Sequence, residues 1–252
     1  MHRAFRLLEN SFDETNCYNW IEDGKQQHLA NQESVRLALE NFVSAGRING
    51  SQLKEHWFPT VDAEVFISHS REDQNLAFAL AGWLQDTFGI TSFIDSCVWG
   101  YAGDLLRQID NDHCWQRESR TYNYRSRNGS TSHVHMMLST ALAKMMDKTE
   151  CVIFVSSPAS VTTEGSIATV SSPWIYFELT MTALLRVRPI EDYRVIKEAQ
   201  TRDFSAKPER LPIFYEASFD SLTTVDGDSL NKWARRWRNK VWAKSYPLDI
   251  LY

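Results

Sequence analysis

Glycine is scarce in this chain, with ten residues in 252, and none of them forms a GxGxxG or GxxxxGK[S/T] pattern. The phosphate-cradling turns of Rossmann dehydrogenases and P-loop enzymes are therefore excluded. Cysteine is scarcer still: Cys17, Cys97, Cys114 and Cys151 are scattered with no CxxC pair, too few for a disulfide scaffold. This implies a reducing, cytoplasmic setting. His113, Cys114, His133 and His135 match no structural-zinc spacing, so no metal is expected. No apolar run approaches the roughly 18–20 residues a membrane helix needs. The opening residues turn polar and acidic after eight positions, which leaves no signal-peptide core. There is no excess of positive charge either: 27 basic and 32 acidic residues give a net charge of −5. That balance provides no general attraction to nucleic acid or to an anionic membrane. Internal repeats and low-complexity tracts are also absent.

What the chain does contain is 43% hydrophobic and 23% charged residues, with nine tryptophans. This is the make-up of a folded soluble protein of one sizeable domain, or one domain with an appendage. Residues 1–60 read as a polar, helical cap, with apolar positions between Glu33 and Gly46 and a short helix from Gly50 to Phe58. From Val61 the pattern changes. Glu64–Ser68 (EVFIS), Ile90–Ile94, Cys151–Ser156 (CVIFVS) and Leu211–Tyr215 read as strands. The second apolar strand from the C-terminal side, Cys151–Ser156, carries the mark of a central strand covered on both faces. Helical spacing occupies the intervals, near 73–88, 102–109, 132–146, 173–185 and 229–243. Strand–helix alternation of this kind predicts a parallel α/β sheet with right-handed crossovers. Residues 111–131 and 159–171 lack any period and read as loops beside the carboxyl ends of the strands, where α/β proteins place ligands. In the last helix, Leu230, Trp233 and Trp237 form an apolar stripe among basic residues, predicting a helix packed on the sheet with a solvated basic face.

Three stretches in order carry a resemblance. Asp62–Ser70 (DAEVFISHS) with Asp73, Phe93–Ile109 (FIDSCVWGYAGDLLRQI), and Cys151–Leu179, with Trp174 and Glu178 spaced as Trp-x-x-x-Glu, together resemble the Toll/interleukin-1 receptor (TIR) domain family. The resemblance spans about residues 61–250. It implies a flavodoxin-like parallel sheet of about five strands over 61–252, with an insertion at about 111–131 and an N-terminal helical segment outside it. The chain looks most like the prokaryotic stand-alone TIR enzymes of Thoeris-type antiphage defence. Those enzymes consume NAD+ as substrate and release an ADP-ribose-derived messenger that reaches a downstream effector.

The resemblance implies a catalytic role for Glu178. Pro173 suits a first helical turn, with Ser171 or Ser172 as N-cap, which sets Glu178 about one turn inside a helix, on the face of Trp174. A carboxylate at the ribose hydroxyls would orient the sugar and stabilise the positive charge that builds as the nicotinamide–ribose bond breaks. By motif position His69, Ser70 and Asp95 would contact substrate, Trp174 would wall the nicotinamide end, and Trp99 would gate the pocket or join a subunit contact. The resemblance also implies TIR–TIR self-association. The alternative it leaves open is a non-enzymatic adaptor that works through such assembly alone.

Overall fold

The run Arg3–Leu8 sets hydrophobic Ala4, Phe5 and Leu7 among arginines, and it folds as a strand. In the computed structural model, which describes residues 1–12, 14–29, 42–44, 47–99, 102–164, 167–194, 215–216, 219–239 and 246–251, this strand, β1, is followed by α1 (Glu14–Leu29), a hairpin of β2 (Val43–Ser44) and β3 (Arg47–Ile48), and α2 (Gly50–Trp57). Next come β4 (Val65–Ser68), α3 (Gln74–Phe88), β5 (Ser92–Phe93), α4 (Asp95–Val98) and α5 (Ala102–His113). A second hairpin, β6 (Trp115–Gln116) and β7 (Thr121–Tyr122), leads into α6 (Tyr124–Lys148) and β8 (Cys151–Ser156). The chain continues through β9 (Thr162–Glu164), β10 (Ile167–Val170), α7 (Pro173–Leu184), β11 (Tyr215–Glu216), β12 (Thr223–Val225), α8 (Gly227–Arg238) and α9 (Pro247–Leu251).

Five strands form one parallel sheet in the order β12-β1-β8-β4-β5. This is an α/β architecture of the flavodoxin-like kind. Each strand splits its side chains between two cores. Phe5, Leu7, Val65, Ile67 and Ile153 face α3 and α8. Ala4, Phe66 and Val152 face α2, α5 and α6. With helices on both faces, the central strand β8 is buried at every position, which is why it reads as an unbroken apolar run. Among the described residues no helix is long and apolar enough to cross a membrane.

The N-terminal segment is where sequence and structure part. Residues 1–60 are more than a helical cap: β1 is an interior strand, paired over six residues with β8 and over three with β12. The helix α1 lies on α3 with the two backbones almost touching. A Cβ built on Gly24 would stand 2.1 Å from the Phe78 carbonyl oxygen, and one on Gly82 the same 2.1 Å from that of Trp20. Only a residue without a Cβ lets the helices cross this closely. The expected helix from Glu33 to Gly46 falls largely outside the described residues.

Residues 111–131 are not a loop. They comprise the end of α5, the β6–β7 hairpin and the first two turns of α6. Asn123 caps α6 by accepting from the Ser126 amide at 2.9 Å. Buried Asp110 ties the two helices together, accepting from Ser130 Oγ at 2.5 Å and Arg127 Nε at 2.9 Å. These polar contacts, with no apolar period behind them, support the extra turns. Residues 159–171 likewise contain β9 and β10, which form a small antiparallel sheet with β11. The expected strand at Leu211–Tyr215 lies mostly outside the described residues, and its last residue belongs to that small sheet rather than to the parallel one.

The aromatic excess is largely core. Phe88 stacks on Trp233 at 4.0 Å, Trp83 meets Trp233 edge-on at 5.5 Å, and Phe12 bridges Trp20 and Trp83 at 6.0 Å each. The indole of Trp233 donates to the Pro247 carbonyl at 2.8 Å, the partner a buried N–H requires. Lys232, Arg235, Arg236 and Arg238 occupy the exposed face of α8, as its stripe predicts.

Candidate active site

The chain leaves β4 through α3 on one face of the sheet and leaves β8 through α7 on the other, so the connections diverge at the carboxyl ends of these neighbouring strands. Open α/β sheets place ligands at such switch points. Ser68 closes β4 there, and its hydroxyl donates to Glu178 Oε2 at 2.5 Å. Glu178 reaches this position because α7 starts where the sequence says it should: Ser172 accepts from the Ile175 amide at 3.3 Å, and Pro173 occupies the first turn. The glutamate then lies in the second turn among Ile175 and Leu179, only 4% exposed.

Burial pushes the Glu178 carboxyl well above the usual carboxylate range. The negative charge of Asp95 pushes the same way, and the Ser68 hydrogen bond opposes both. A like charge nearby and a dry environment both favour the protonated acid. His69, the residue after β4, responds in the complementary sense: burial holds its pKa below the ordinary histidine value, against the pull of the Asp95 and Asp73 carboxylates. Its Nε2 lies 3.3 Å from Ser96 Oγ.

A second set of contacts fastens the loops. Asp73 Oδ2 accepts from Ser70 Oγ at 2.6 Å and from Ser157 Oγ at 2.7 Å, so it ties the loop after β4 to the loop after β8. The Ser157 amide donates to Ser160 Oγ at 2.9 Å, and the Ser160 hydroxyl donates to the Val155 carbonyl at 3.1 Å. From β1, Arg6 Nε donates to Ser156 Oγ at 2.9 Å while its guanidinium lies 4.3 Å over the Phe219 ring. Arg6 makes no ion pair among the described residues, so most of its five N–H donors remain for a ligand. Arg6 and Ser68 both pair with Phe154 of β8. They stand in one row on one face, two strand spacings or about 10 Å apart.

Of the residues singled out from sequence, His69, Ser70, Asp95 and Glu178 come together at this edge. Trp99 does not. Its side chain is 3% exposed, packed edge-on against Phe58 at 5.6 Å and Phe93 at 4.9 Å, and its indole donates to the Pro59 carbonyl at 2.8 Å. It anchors the segment entering β4 instead of gating a pocket. Trp174 is half-buried and presents its ring edge-on to His135 of α6 at 5.4 Å, helping to seat α7. Sequence reasoning missed Ser68, Ser157 and Arg6. A signal existed for Ser68, a lone polar residue closing an apolar strand, but none for Arg6, whose strand was not recognised.

Chemically, the site combines a carboxyl whose burial favours its protonated form, a second carboxylate, an imidazole whose burial favours its neutral form and, on the same sheet edge, a guanidinium with no ion pair among the described residues. Such a set can offset positive charge at one end of a ligand and bind negative charge at the other. Among the described residues no three His, Cys, Asp or Glu side chains converge as a metal set. Comparisons with protein-family profiles, with curated proteins and with solved structures give no match for this chain.

Proposed function

We propose that this protein is an NAD+-consuming enzyme of the TIR type, cleaving the nicotinamide–ribose bond at Glu178. The observation that carries the reading is the Ser68–Glu178–Asp95 group: a buried carboxyl at the switch point of a parallel sheet, its proton affinity raised by burial and by a second acid. A pyridinium nucleotide suits this environment. Its cationic ring favours the ionised form of Glu178, which then faces the ribose as the glycosidic bond lengthens and positive charge spreads over the sugar. Nicotinamide departs as a neutral base and needs no acid to protonate it. His69 and Asp95 border the same position, and Arg6, about 10 Å along the row, takes the pyrophosphate. Water as acceptor gives ADP-ribose; the adenine of the same molecule gives a cyclic isomer. In a cell such a product acts as a messenger for a separate effector, which fits antiphage signalling.

One observation favours the non-enzymatic alternative, an adaptor working through self-association: Glu178 is 4% exposed and already satisfied by Ser68. A single experiment separates the two. The full chain, at high concentration, is incubated with NAD+ with and without lysate of phage-infected cells, and products are read by mass spectrometry beside Glu178→Gln. Nicotinamide release that falls at least 100-fold in the variant supports the enzyme. Release unchanged in Glu178→Gln removes the site assignment, and no release in any arm favours the adaptor.

A further inference from the structure

A second place in the molecule brings like charges together. Lys54, in the last turn of α2, and Lys144, in the last turns of α6, line one cleft of about 260 Å³ with Glu55, Phe58 and Thr60. Both lysines line the same cleft, and among the described residues no ion pair is seen for either. Packing sets the two helices side by side: Leu53 and Trp57 of α2 are buried in the same core as Leu142 and Met145 of α6, which places both lysines at the rim of the cleft.

We infer that this cleft is an anion-binding site for a phosphate group, free or carried as the monoester of a small molecule. A dianion placed between the amines answers both charges at once, which a single carboxylate does not. Thr60 adds a hydroxyl donor, and Phe58 gives an apolar wall. Glu55 repels a long polyanion but accepts from a hydroxyl of an organic portion. A volume of about 260 Å³ lies under the range typical of drug-sized ligands, which points to a compact one. The cleft is separate from the carboxyl-edge site. Thr60 precedes β4 on the chain and Ser68 ends it, so the two lie toward opposite ends of that strand. A ligand held here acts as an effector rather than as the substrate. The proximity of the two amines has a consequence at Lys54: contact with Lys144, then burial, holds its amine below the usual lysine value.

The test uses the full chain labelled with [13C]lysine and titrated with inorganic phosphate and, separately, with glycerol 3-phosphate, at fixed ionic strength made up with chloride. Saturable shifts of the Lys54 and Lys144 Cε–Hε signals are expected, along with a rise in the pH at which Lys54 titrates. Binding is expected to weaken at least tenfold in Lys54→Met and in Lys144→Met, and to persist in Lys54→Arg. Tighter binding of glycerol 3-phosphate identifies the monoester as the ligand, and equal binding identifies the free ion. Phosphate binding that is unchanged in both methionine variants, or signal shifts that chloride alone reproduces, overturn the inference.

Discussion

The crossing of α1 and α3 makes Gly82→Ala a stringent test of the packing. In an exposed helix the change is favourable, since alanine gains about 1 kcal/mol over glycine. At position 82 the new methyl stands 2.1 Å from the Trp20 carbonyl oxygen and 2.8 Å from its carbon. Even a close C–H···O contact needs about 3.3–3.6 Å, so α1 must retreat by more than about 1 Å. A gap of that size forfeits a quarter to a half of each dispersion contact across the interface. The usual cost of overpacking is about 1–3 kcal/mol, and a clash against backbone, which cannot rotate away, belongs at or above the top of that range. Net of the propensity gain, the variant should lose about 2 kcal/mol, or about 4–8 °C in Tm for a chain of this size. Gly129→Ala is the control: it lies inside α6 with nothing within 4 Å of the added methyl, and should gain up to about 1 kcal/mol. Gly24→Ala meets the Phe78 carbonyl oxygen in the same way. The double variant Gly24→Ala/Gly82→Ala should cost less than the sum, because one retreat of α1 relieves both clashes. Urea or thermal denaturation reads all four. Gly82→Ala melting at or above the wild type would refute the close crossing.

The site residues should leave a signature on stability independent of any reaction. Glu178 has a raised pKa in the fold, so it favours folding below the unfolded carboxylate value and that contribution is lost as pH rises through the folded one. Glu178→Gln, which keeps an acceptor for Ser68, should therefore melt above the wild type at pH 8, by about 1.4 kcal/mol per unit of the lost shift, with the gap closing near pH 4. His69 is depressed, so its cost appears on the acid side as pH falls below the ordinary histidine value; His69→Gln should flatten that limb in a pH series of melts. Away from the site, Arg194 pairs with Glu150 at 2.5 and 2.8 Å, pairs with Asp249, and lies 4.3 Å over the Tyr246 ring. Glu150 is 2% exposed, so Arg194→Ala breaks a buried ion pair and should cost about 3–5 kcal/mol in urea denaturation.

How much of this was legible in the sequence depends on how local each cause is. β4 and β8 were readable because burial on both faces writes itself into an apolar run, and the caps of α7 because Ser172 and Pro173 act within one turn. The choice of Glu178, His69, Ser70 and Asp95 came from motif position in the resemblance to the TIR family, not from any local pattern of the chain. Three features were not readable. Arg3–Leu8 sets apolar residues at 4, 5, 7 and 8, a pattern that serves helix or strand equally; the choice is made by partners near residues 151 and 223. The first turns of α6 have no apolar period because Asp110, a residue of another helix, holds them. Trp99 looked like a loop aromatic because nothing local shows that the Pro59 carbonyl waits for its N–H.

The place of β1 between β8 and β12 also bears on how the protein is made. Of the five strands of this sheet, β1 comes earliest in the chain and its two neighbours latest, at residues 151–156 and 223–225. At ribosomal rates of about 5–20 residues per second, roughly ten to forty-five seconds separate its emergence from that of its second partner. A chain stopped short of residue 223 has β8 on only one side of Arg3–Leu8, so β1 is left as the open edge of a four-stranded sheet. Completion of the C-terminal part, rather than of the strands that carry the site, is the event that closes this edge.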